Sequence, residues 1–240
     1  MAEALSERTR RARRLFAPLG ESYDRYSRLL SLGQDPRWRS FLVSRLEDVG
    51  PGQTVLDAAT GTAAVAIELA RRTGCCVVGL DQSPEMLAIG RARVEAAGLE
   101  ERIRLVEGDA QHLPFDDASF DGLTFTYLLR YVEDVGATLG ELTRTVRPGG
   151  TITMLEFALP RGPWRPAWEL YVRVGLPLAG RVISPGWREV GGFLGPSIRA
   201  FWRAHPLDRL LELWGAAGIE DVRARRLSLG GGVVIWGRKA

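Results

Sequence analysis

Residues 54–65 have the sequence TVLDAATGTAAV, in which a short apolar run leads through an acidic residue and a turn of small residues into a helical pattern. Nucleotide-binding α/β folds begin in this way, because a buried strand brings the turn and the start of the helix up to the ligand. A dinucleotide-binding turn carries the glycines of G-x-G-x-x-G, whereas Gly61 is the one glycine of this turn. The stretch predicts an α/β fold whose ligand approaches the backbone at one small residue.

The pattern of strand followed by helix continues along the chain. The helix predicted over residues 83–98 has Ser83 at its N-cap and Pro84 at its first position, where both are favoured. Residues 159–205 are rich in Pro, Gly, Trp and Arg, and we predict one or two short helices there, residues 168–176 among them. Alternating strands and helices indicate a Rossmann-like, doubly wound and mostly parallel α/β sheet of seven strands with a terminal antiparallel strand, plus N-terminal helices and a helical lid insertion. The predicted strands are residues 54–60, 75–81, 103–109, 120–127, 151–158, 219–227 and 231–239, and the other predicted helices are residues 7–48, 62–72, 134–146 and 206–218.

The overall composition excludes several classes of protein. Of the 240 residues, 45% are hydrophobic and 25% are charged, as in ordinary globular proteins. No apolar run approaches the roughly 18 residues of a membrane span, and the basic N-terminus lacks the apolar region of a secretory signal. Cys75 and Cys76 are adjacent, which suits neither a disulfide nor a metal site. We therefore expect a cytoplasmic protein without a bound metal.

The charge is unevenly distributed along the chain. Residues 1–40 carry +4, residues 41–160 carry −8 and residues 161–240 carry +7. Basic ends around an acidic centre suggest contact with something anionic, such as a membrane surface or a nucleic acid. Solvated arginines on the surface explain the same distribution equally well.

Three acidic residues lie at the ends of predicted strands: Asp57, Asp81 and Asp109. In an open α/β sheet the ligand lies beyond the carboxyl ends of the strands, so these side chains are expected at one edge. Asp81 follows Gly61 by 20 residues, a spacing that suits a carboxylate bound to ribose hydroxyls. The turn has neither the glycines nor the lysine of phosphate-binding loops. A ligand with a ribose but no phosphate is favoured, and S-adenosylmethionine fits that description.

Several longer segments are typical of one enzyme family. They are VLDAATGTA (55–63), GLDQSPEMLAIGRAR (79–93), GDAQHLPFDDASFDGLTFTYLLRYVED (108–134), LTRTVRPGGTITMLEF (142–157) and LFAPLGESYDRYSRLLSLGQDPRWR (15–39). Through them the sequence resembles the class I S-adenosylmethionine-dependent methyltransferases, and more narrowly the ubiquinone/menaquinone C-methyltransferase family, over nearly the whole chain.

The sequence also departs from the family pattern, mostly in the half expected to bind the methyl acceptor. Ala63 replaces a usual glycine, Tyr131 stands where asparagine is usual, and Trp236 stands where the last strand often has histidine. Residues 159–205 match poorly, although the family's Ser-Ile-Arg is kept at residues 197–199. These differences bear on the identity of the acceptor rather than on cofactor use.

The resemblance implies roles for individual residues. It places the methionine moiety of the cofactor beside Gly61, the ribose on Asp81 and the adenine near Met86 and Asp109, while Arg130 falls where the family has an arginine that faces the acceptor. The implied cofactor-binding residues are Asp57, Ala59, Gly61, Thr62, Asp81, Gln82, Met86, Asp109, Ala110 and Thr126, the implied catalytic residues are Arg130, Tyr127 and Tyr131, and the implied acceptor residues are Tyr23, Tyr26 and Trp168.

The resemblance further implies one methyltransferase domain over residues 1–240. Its parts are an N-terminal helical cover (7–50), a cofactor-binding core (51–158), an acceptor-side insertion (159–205) and a last helix with the edge strands (206–240).

The first functional hypothesis is C-methylation of a prenylated quinol such as demethylmenaquinol, with S-adenosyl-L-methionine as the methyl donor and S-adenosyl-L-homocysteine as the product. The basic ends and the tryptophans at positions 164, 168, 187 and 202 suit a lipophilic acceptor drawn from an anionic membrane face, so we expect peripheral contact with the inner face of a membrane.

Two other hypotheses stay open. Divergence in residues 159–205 motivates an O- or N-methyltransferase of another small molecule or lipid headgroup. The third alternative is an S-adenosylmethionine-binding protein without catalysis, or a nucleic-acid-binding module. TFTYLL at residues 124–129 lacks the Asn/Asp-Pro-Pro-aromatic motif of base methyltransferases, so we expect no nucleic-acid partner. The oligomeric state stays open, with a homodimer among the alternatives.

Overall fold

The computed structural model describes residue 28, residues 31–183 and residues 185–240. The strands are β1 (Thr54–Ala58), β2 (Cys76–Asp81), β3 (Ile103–Glu107), β4 (Phe120–Thr126), β5 (Val146–Phe157), β6 (Ile219–Leu227) and β7 (Gly232–Lys239). The helices are α1 (Asp35–Val43), α2 (Ala64–Thr73), α3 (Pro84–Ala96), α4 (Val135–Arg144), α5 (Trp164–Leu170), α6 (Leu176–Ile183), α7 (Pro185–Ala204) and α8 (Leu207–Ala216), with a π-helical turn at Tyr171–Gly175 and a 3₁₀ turn at Ser228–Gly230.

The described strands form one sheet of seven in the order β3-β2-β1-β4-β5-β7-β6. The pairs from β3 to β5 are parallel, whereas β7 runs antiparallel to both β5 and β6. The order of the strands changes direction at β1: β2 and β3 lie on one side of β1, and β4 and β5 lie on its other side. The carboxyl ends of β1 and β4 therefore open a crevice of the kind in which doubly wound folds bind ligands. The predicted fold class is confirmed.

Helices cover both faces of the sheet, which explains why its strands are almost continuously apolar. Neighbouring residues of β1 point to opposite faces. Val55 packs in a cluster with Leu42 of α1 and Leu69 of α2, whereas Leu56 packs in a cluster with Phe125 and Trp214. These side chains are fully buried or nearly so, and they hold the strand ends in place.

Local sequence accounts for several helix boundaries. Ser83 caps α3, since its hydroxyl accepts a hydrogen bond from Met86 N at 3.3 Å. Asp134 caps α4 in the same way, accepting from Ala137 N at 2.9 Å. Both capped positions match the predicted starts of these helices.

The fifth strand begins five residues earlier than predicted. Residues 147–150 (RPGG) continue β5 rather than forming a separate stop, and the register against β4 shifts between Phe120 and Gly122. Gly149 has φ 78°, which a residue with a side chain adopts only with strain. The glycines therefore form an irregularity within the strand.

The prediction of one or two short helices in residues 159–205 was wrong. α5, the π-helical turn, α6 and the 20-residue α7 occupy most of the segment. Two of its glycines lie where helices touch: a Cβ on Gly191 would be 2.6 Å from Leu176 O, and a Cβ on Gly195 would be 3.1 Å from Val172 Cβ. Glycine here permits close helix packing, so its usual interpretation as a helix breaker fails.

The predicted helices over residues 7–48 are described only in part. α1 lies in this range, and residues 7–27 fall outside the described residues. In the described part of the chain, no helix is long and apolar enough to cross a membrane.

Candidate active site

The turn after β1 is tighter than its single glycine suggests. Ala59, Gly61 and Ala63 all have left-handed backbone conformations, with φ values of 57°, 56° and 61°. A residue with a side chain pays roughly 1–2 kcal/mol to adopt this conformation. The turn is nevertheless held, because Thr60 N donates to Leu80 O and Ala63 N donates to Thr60 O, each at 3.0 Å. The alanines therefore take the conformation that glycines have in richer nucleotide loops.

Asp57 lies beneath this turn and lines neither of the two cavities at the site. One carboxylate oxygen accepts the Thr60 hydroxyl at 2.6 Å, and the other has no hydrogen-bond partner among the described residues. Burial raises the pKa of Asp57 to about 7, although the Thr60 hydrogen bond opposes the shift. The carboxyl group supports the turn from below, so the structure does not bring it to the face predicted to contact the cofactor.

Asp81 joins the turn to the start of α3. Its Oδ2 accepts from Gly61 N at 2.8 Å and its Oδ1 accepts from Ser83 N at 2.9 Å. Burial raises the pKa of Asp81, and the two backbone amides act against that rise. A carboxylate has about four acceptor positions, so two remain for hydroxyl groups of a ligand.

Two cavities meet at this carboxylate. The larger has a volume of about 190 Å³ and the smaller about 50 Å³. Both are lined by Ala59, Asp81, Gln82, Leu128 and Tyr131. An elongated ligand can therefore lie across Asp81 with one end in each cavity.

Most of the predicted site residues line one cavity or the other. The larger cavity brings together Gly61, Thr62, Met86, Thr126, Tyr127, Arg130 and Trp168 with the shared residues. The smaller contains Asp109 and Ala110, the residues predicted at the adenine, and Asp109 Oδ1 accepts from Gln111 N at 2.9 Å. Tyr23 and Tyr26 lie outside the described residues.

Arg130 forms a buried ion pair with Glu156 at the wall of the larger cavity. Nε of Arg130 lies 2.7 Å from Oε1 of Glu156, and each side chain is 1% exposed. Burial alone would lower the pKa of Arg130, but the neighbouring Glu156 carboxylate raises it above its ordinary value. The guanidinium group therefore stays charged and keeps its two Nη groups as donors.

Glu156 was missed as a functional residue at the level of sequence. Its Oε1 also accepts from Phe157 N at 2.8 Å, whereas its Oε2 has no partner within the described ranges. Burial raises the pKa of Glu156, and the Arg130 charge opposes the rise. An acidic residue at the end of a buried, otherwise apolar strand was the available signal.

Aromatic rings enclose the guanidinium group. Its carbon lies 5.0 Å from the centre of the Tyr131 ring and 5.5 Å from that of Phe157. Burial raises the pKa of Tyr131, so its phenol stays protonated and does not serve as a base near neutral pH. Tyr127 stacks on Phe157 with ring centres 4.5 Å apart.

Helix α1 contributes residues to the site that the sequence patterns did not identify. Asp35 Oδ1 accepts the Tyr127 hydroxyl at 2.6 Å, and Asp35 Oδ2 pairs with Arg39 Nε at 2.8 Å. Both α1 residues and Ser31 line the larger cavity. Tyr127 has φ 57°, so this hydrogen bond helps to hold a strained backbone position.

The far wall of the larger cavity is apolar and comes from α5–α7 with the π-helical turn. Its residues are Trp168, Tyr171, Val172, Leu176, Val190, Leu194 and Ile198.

The other described tryptophans do not line this wall, and the side chain of Trp187 lies outside the described part of the structure. Trp202 is buried and its indole donates to Phe157 O at 2.6 Å. Trp236 packs on Phe41 with ring centres 6.0 Å apart and lines neither cavity, and Trp164 is 51% exposed.

The shape and chemistry of the two cavities fit S-adenosylmethionine. The carboxylate of Asp81 lies between them, where a ribose joining an adenine to a methionine would lie. The buried Oε1 of Gln82 has no hydrogen-bond partner among the described residues and lies at the same junction. A Cβ on Gly61 would lie 3.9 Å from Met86 Cε, so the backbone is open to close approach at this point. The turn after β1 has neither the lysine nor the several glycines of a phosphate-binding loop.

The fold and the site define an S-adenosylmethionine-dependent methyltransferase. The chain belongs to the ubiE/COQ5 methyltransferase family, whose sequence model matches residues 4–239. It is 41% identical over 184 residues to the ubiquinone/menaquinone biosynthesis C-methyltransferase UbiE of a Geobacter species, covering 75% of this chain and 78% of that protein. It is 38% identical over 218 residues to the demethylmenaquinone methyltransferase of Thermus thermophilus, covering 90% of this chain and 96% of that protein.

A solved structure shares the fold. The putative S-adenosyl-L-methionine-dependent methyltransferase of Methanococcus maripaludis superposes with a TM-score of 0.64 at 20% identity, over 100% of this chain and 97% of that one.

Proposed function

We propose that this methyltransferase acts on a ring carbon of a prenylated quinol such as demethylmenaquinol. The observation that carries the proposal is the buried Arg130–Glu156 pair, which lies in the larger cavity between the cofactor turn and an apolar wall. The names of the two relatives described above support the same acceptor class. We retain as part of this proposal the site residues predicted from the sequence, except for Asp57, which lines neither cavity, and the division of the chain at residues 50, 158 and 205.

When bound, S-adenosylmethionine supplies a methyl group on a sulfonium, which a nucleophile displaces in line. A quinol carbon becomes a strong nucleophile once the neighbouring hydroxyl releases its proton to water. Arg130 remains protonated, so it stabilises the resulting oxyanion rather than accepting the proton. After accepting the methyl group, the ring carbon would release its own proton to water, which restores the aromatic ring.

Glu156 and the aromatic rings give Arg130 its position. The carboxylate holds Nε and Nη1 has a long hydrogen bond of 3.5 Å to Ser197 Oγ, which leaves Nη2 to meet the acceptor oxygen. Tyr131 and Phe157 exclude water around the guanidinium group. An interaction with an oxyanion is strengthened in such a desolvated site.

The test uses the purified chain, S-adenosylmethionine with an isotopically labelled methyl group, and a reduced demethylmenaquinone analogue with a short prenyl tail. We expect a product with the label on a ring carbon, located by mass spectrometry and NMR, and Arg130→Met should lose the reaction while still binding S-adenosylhomocysteine. Label on a hydroxyl oxygen, or transfer only to another phenol, an amine or a lipid headgroup, would favour the O- or N-methyltransferase alternative. Tight cofactor binding without transfer to any acceptor would favour a non-catalytic role.

We further propose peripheral contact with an anionic membrane face, because a prenylated acceptor resides in a bilayer. The basic charge of residues 161–240 supports this part of the proposal.

A further inference from the structure

Helices α5 and α6 and the π-helical turn between them expose several large apolar side chains. Trp164, Leu170, Val174 and Leu178 are 51%, 65%, 46% and 51% exposed, and we call these four residues the outer stripe. Side chains three or four positions apart share one side of a helix, and the steps from Leu170 to Val174 and from Val174 to Leu178 have that spacing. Single exposed apolar residues are ordinary on a protein surface, but an aligned set on one helical segment indicates an interaction surface.

Other residues of the same segment line the larger cavity. Trp168, Tyr171, Val172 and Leu176 all belong to the cavity wall. The helical segment that carries the outer stripe is therefore one layer thick between the exterior and the predicted acceptor site. A molecule that contacts the outer stripe lies one helix away from the acceptor.

Exposed basic residues alternate along the chain with the residues of the outer stripe. Arg161, Arg165, Arg173 and Arg181 are all exposed, and Glu169 is the single acidic residue between positions 161 and 181. Glu169 is shared among Arg173 at 3.2 Å, Arg199 at 3.2 Å and Arg165 at 3.9 Å. One carboxylate cannot neutralise this number of guanidinium groups, so the segment retains a positive charge.

We propose that the outer stripe and its arginines dock on the surface of an anionic phospholipid bilayer. Apolar side chains with an exposed tryptophan enter the interface, and arginines meet the lipid phosphates, which is the composition of interfacial membrane helices. A protein partner would need acidic groups placed against each arginine, whereas an anionic lipid surface provides mobile negative charge at any position. This inference rests on the proposed function in one respect. Docking here would place the apolar wall of the larger cavity next to the bilayer, in which a prenylated quinol resides.

The experiment measures sedimentation of the full chain with vesicles of phosphatidylcholine alone and with one quarter phosphatidylglycerol. We expect binding to the anionic vesicles that weakens as salt is raised. Leu170→Ser/Leu178→Ser removes two apolar anchors and Arg165→Gln/Arg173→Gln removes two charges. Each basic residue near an anionic surface contributes about a fivefold factor in binding, so the arginine pair should weaken binding by at least about tenfold.

Matched controls separate this surface from general effects of charge and exposure. Arg71→Gln/Arg91→Gln removes the same charge from exposed positions on α2 and α3, and Leu229→Ser removes a leucine that is 64% exposed outside the outer stripe. Equal losses of binding in the control and stripe variants would overturn the assignment to α5 and α6. A lack of binding to anionic vesicles by the unaltered chain, with a dimer that Leu170→Ser/Leu178→Ser dissociates, would show instead that a second copy covers the stripe.

Failure of docking can be distinguished from failure of the proposed function. The stripe variants should methylate a short-tailed, water-soluble quinol at the rate of the unaltered chain, and they should lose activity only on a long-tailed quinol carried in anionic vesicles. Docking without transfer to any quinol would leave the surface assignment standing and overturn the acceptor. Transfer to both quinols at unchanged rates in the stripe variants would overturn the docking proposal.

Discussion

The ion pair between Arg130 and Glu156 makes a quantitative prediction about stability. Both side chains are 1% exposed and the charged atoms lie 2.7 Å apart. Removing one partner of such a pair leaves an uncompensated buried charge and costs about 3–5 kcal/mol of unfolding free energy. We expect Glu156→Gln and Arg130→Met each to lose about 3 kcal/mol or more, which corresponds to a fall of about 6–12 °C in the melting temperature of a chain of this size.

The double variant Arg130→Met/Glu156→Gln should be much more stable than the sum of the single effects allows. It removes both charges together, so no buried charge remains without a partner, and its loss should be no more than about 2 kcal/mol. The coupling free energy from the double-mutant cycle should therefore be at least about 4 kcal/mol. Urea denaturation followed by circular dichroism gives the unfolding free energy of all four proteins, provided that the slope with denaturant is unchanged.

A control comes from an ion pair on the surface. Arg209 and Glu212 lie 2.9 Å apart with side chains 61% and 65% exposed, so Glu212→Gln should cost less than about 1 kcal/mol. Additive effects of the two buried substitutions would refute the reasoning, because they would show that neither charge depends on the other. Activity gives an independent readout: the double variant should be folded and inactive, which would separate the role of Arg130 in transfer from its effect on stability.

Four further predictions concern the cofactor turn and its acids. Gly61→Val should abolish binding of S-adenosylhomocysteine in calorimetry while the circular dichroism spectrum stays unchanged. The reason is that a β-branched residue at φ 56° is strained and that its side chain would enter the cavity. Unchanged affinity would contradict the placement of the cofactor. Asp81→Asn should weaken the same binding by at least about tenfold, since a neutral amide is a weaker acceptor for hydroxyl groups; an effect confined to the Michaelis constant of the methyl acceptor would count against its predicted role. Ala59→Gly should raise the unfolding free energy by up to about 1 kcal/mol. Relief of roughly 1–2 kcal/mol of backbone strain exceeds the cost of the added entropy of the unfolded chain, which is about 0.5–1 kcal/mol. A clear loss of stability in urea denaturation would show that the alanine is unstrained. The pKa of Asp57 is raised from 3.8 to about 7, so the native state binds more protons than the unfolded state between these pH values. The stability of the protein should therefore fall as the pH rises from about 4 to 7. Asp57→Asn should flatten that part of the stability profile, and an unchanged profile would assign the pH dependence to other groups.

The residues of the cofactor turn illustrate how much of the site sequence reasoning can reach. The acids at the carboxyl ends of β1, β2 and β3 and the single glycine were enough to indicate a ribose-containing ligand without phosphates. They did not reveal that Ala59 and Ala63 share the left-handed conformation of Gly61. An alanine adopts this backbone conformation only where contacts distant in the chain support it. Here the support is the hydrogen bond from Thr60 N to Leu80 O of the neighbouring strand, which local propensity does not predict.

On the acceptor side, the sequence patterns led to a wrong prediction of secondary structure. Glycines and prolines in residues 159–205 predicted interruptions, yet Gly191 and Gly195 lie inside the 20-residue α7, where they allow close contact with the π-helical turn and α6. A breaker residue and a packing residue look the same in a single sequence, because the distinction depends on which helix comes near.

By itself, the sequence of this protein determined the order and type of the elements from β1 to β5 and from α8 to β7, the capped starts of α3 and α4, and the acids that lie along one edge of the sheet. These features follow from periodicity, capping and the rule that parallel strands end together, all of which act over short distances in the chain. Only the tertiary structure decided that Glu156 pairs with Arg130, that Asp57 lies beneath the turn and outside both cavities, and that α1 joins the site through Asp35 and Tyr127. Asp35 and Tyr127 are 92 residues apart in the chain, and their hydrogen bond exists because packing of the whole sheet brings both to the same crevice.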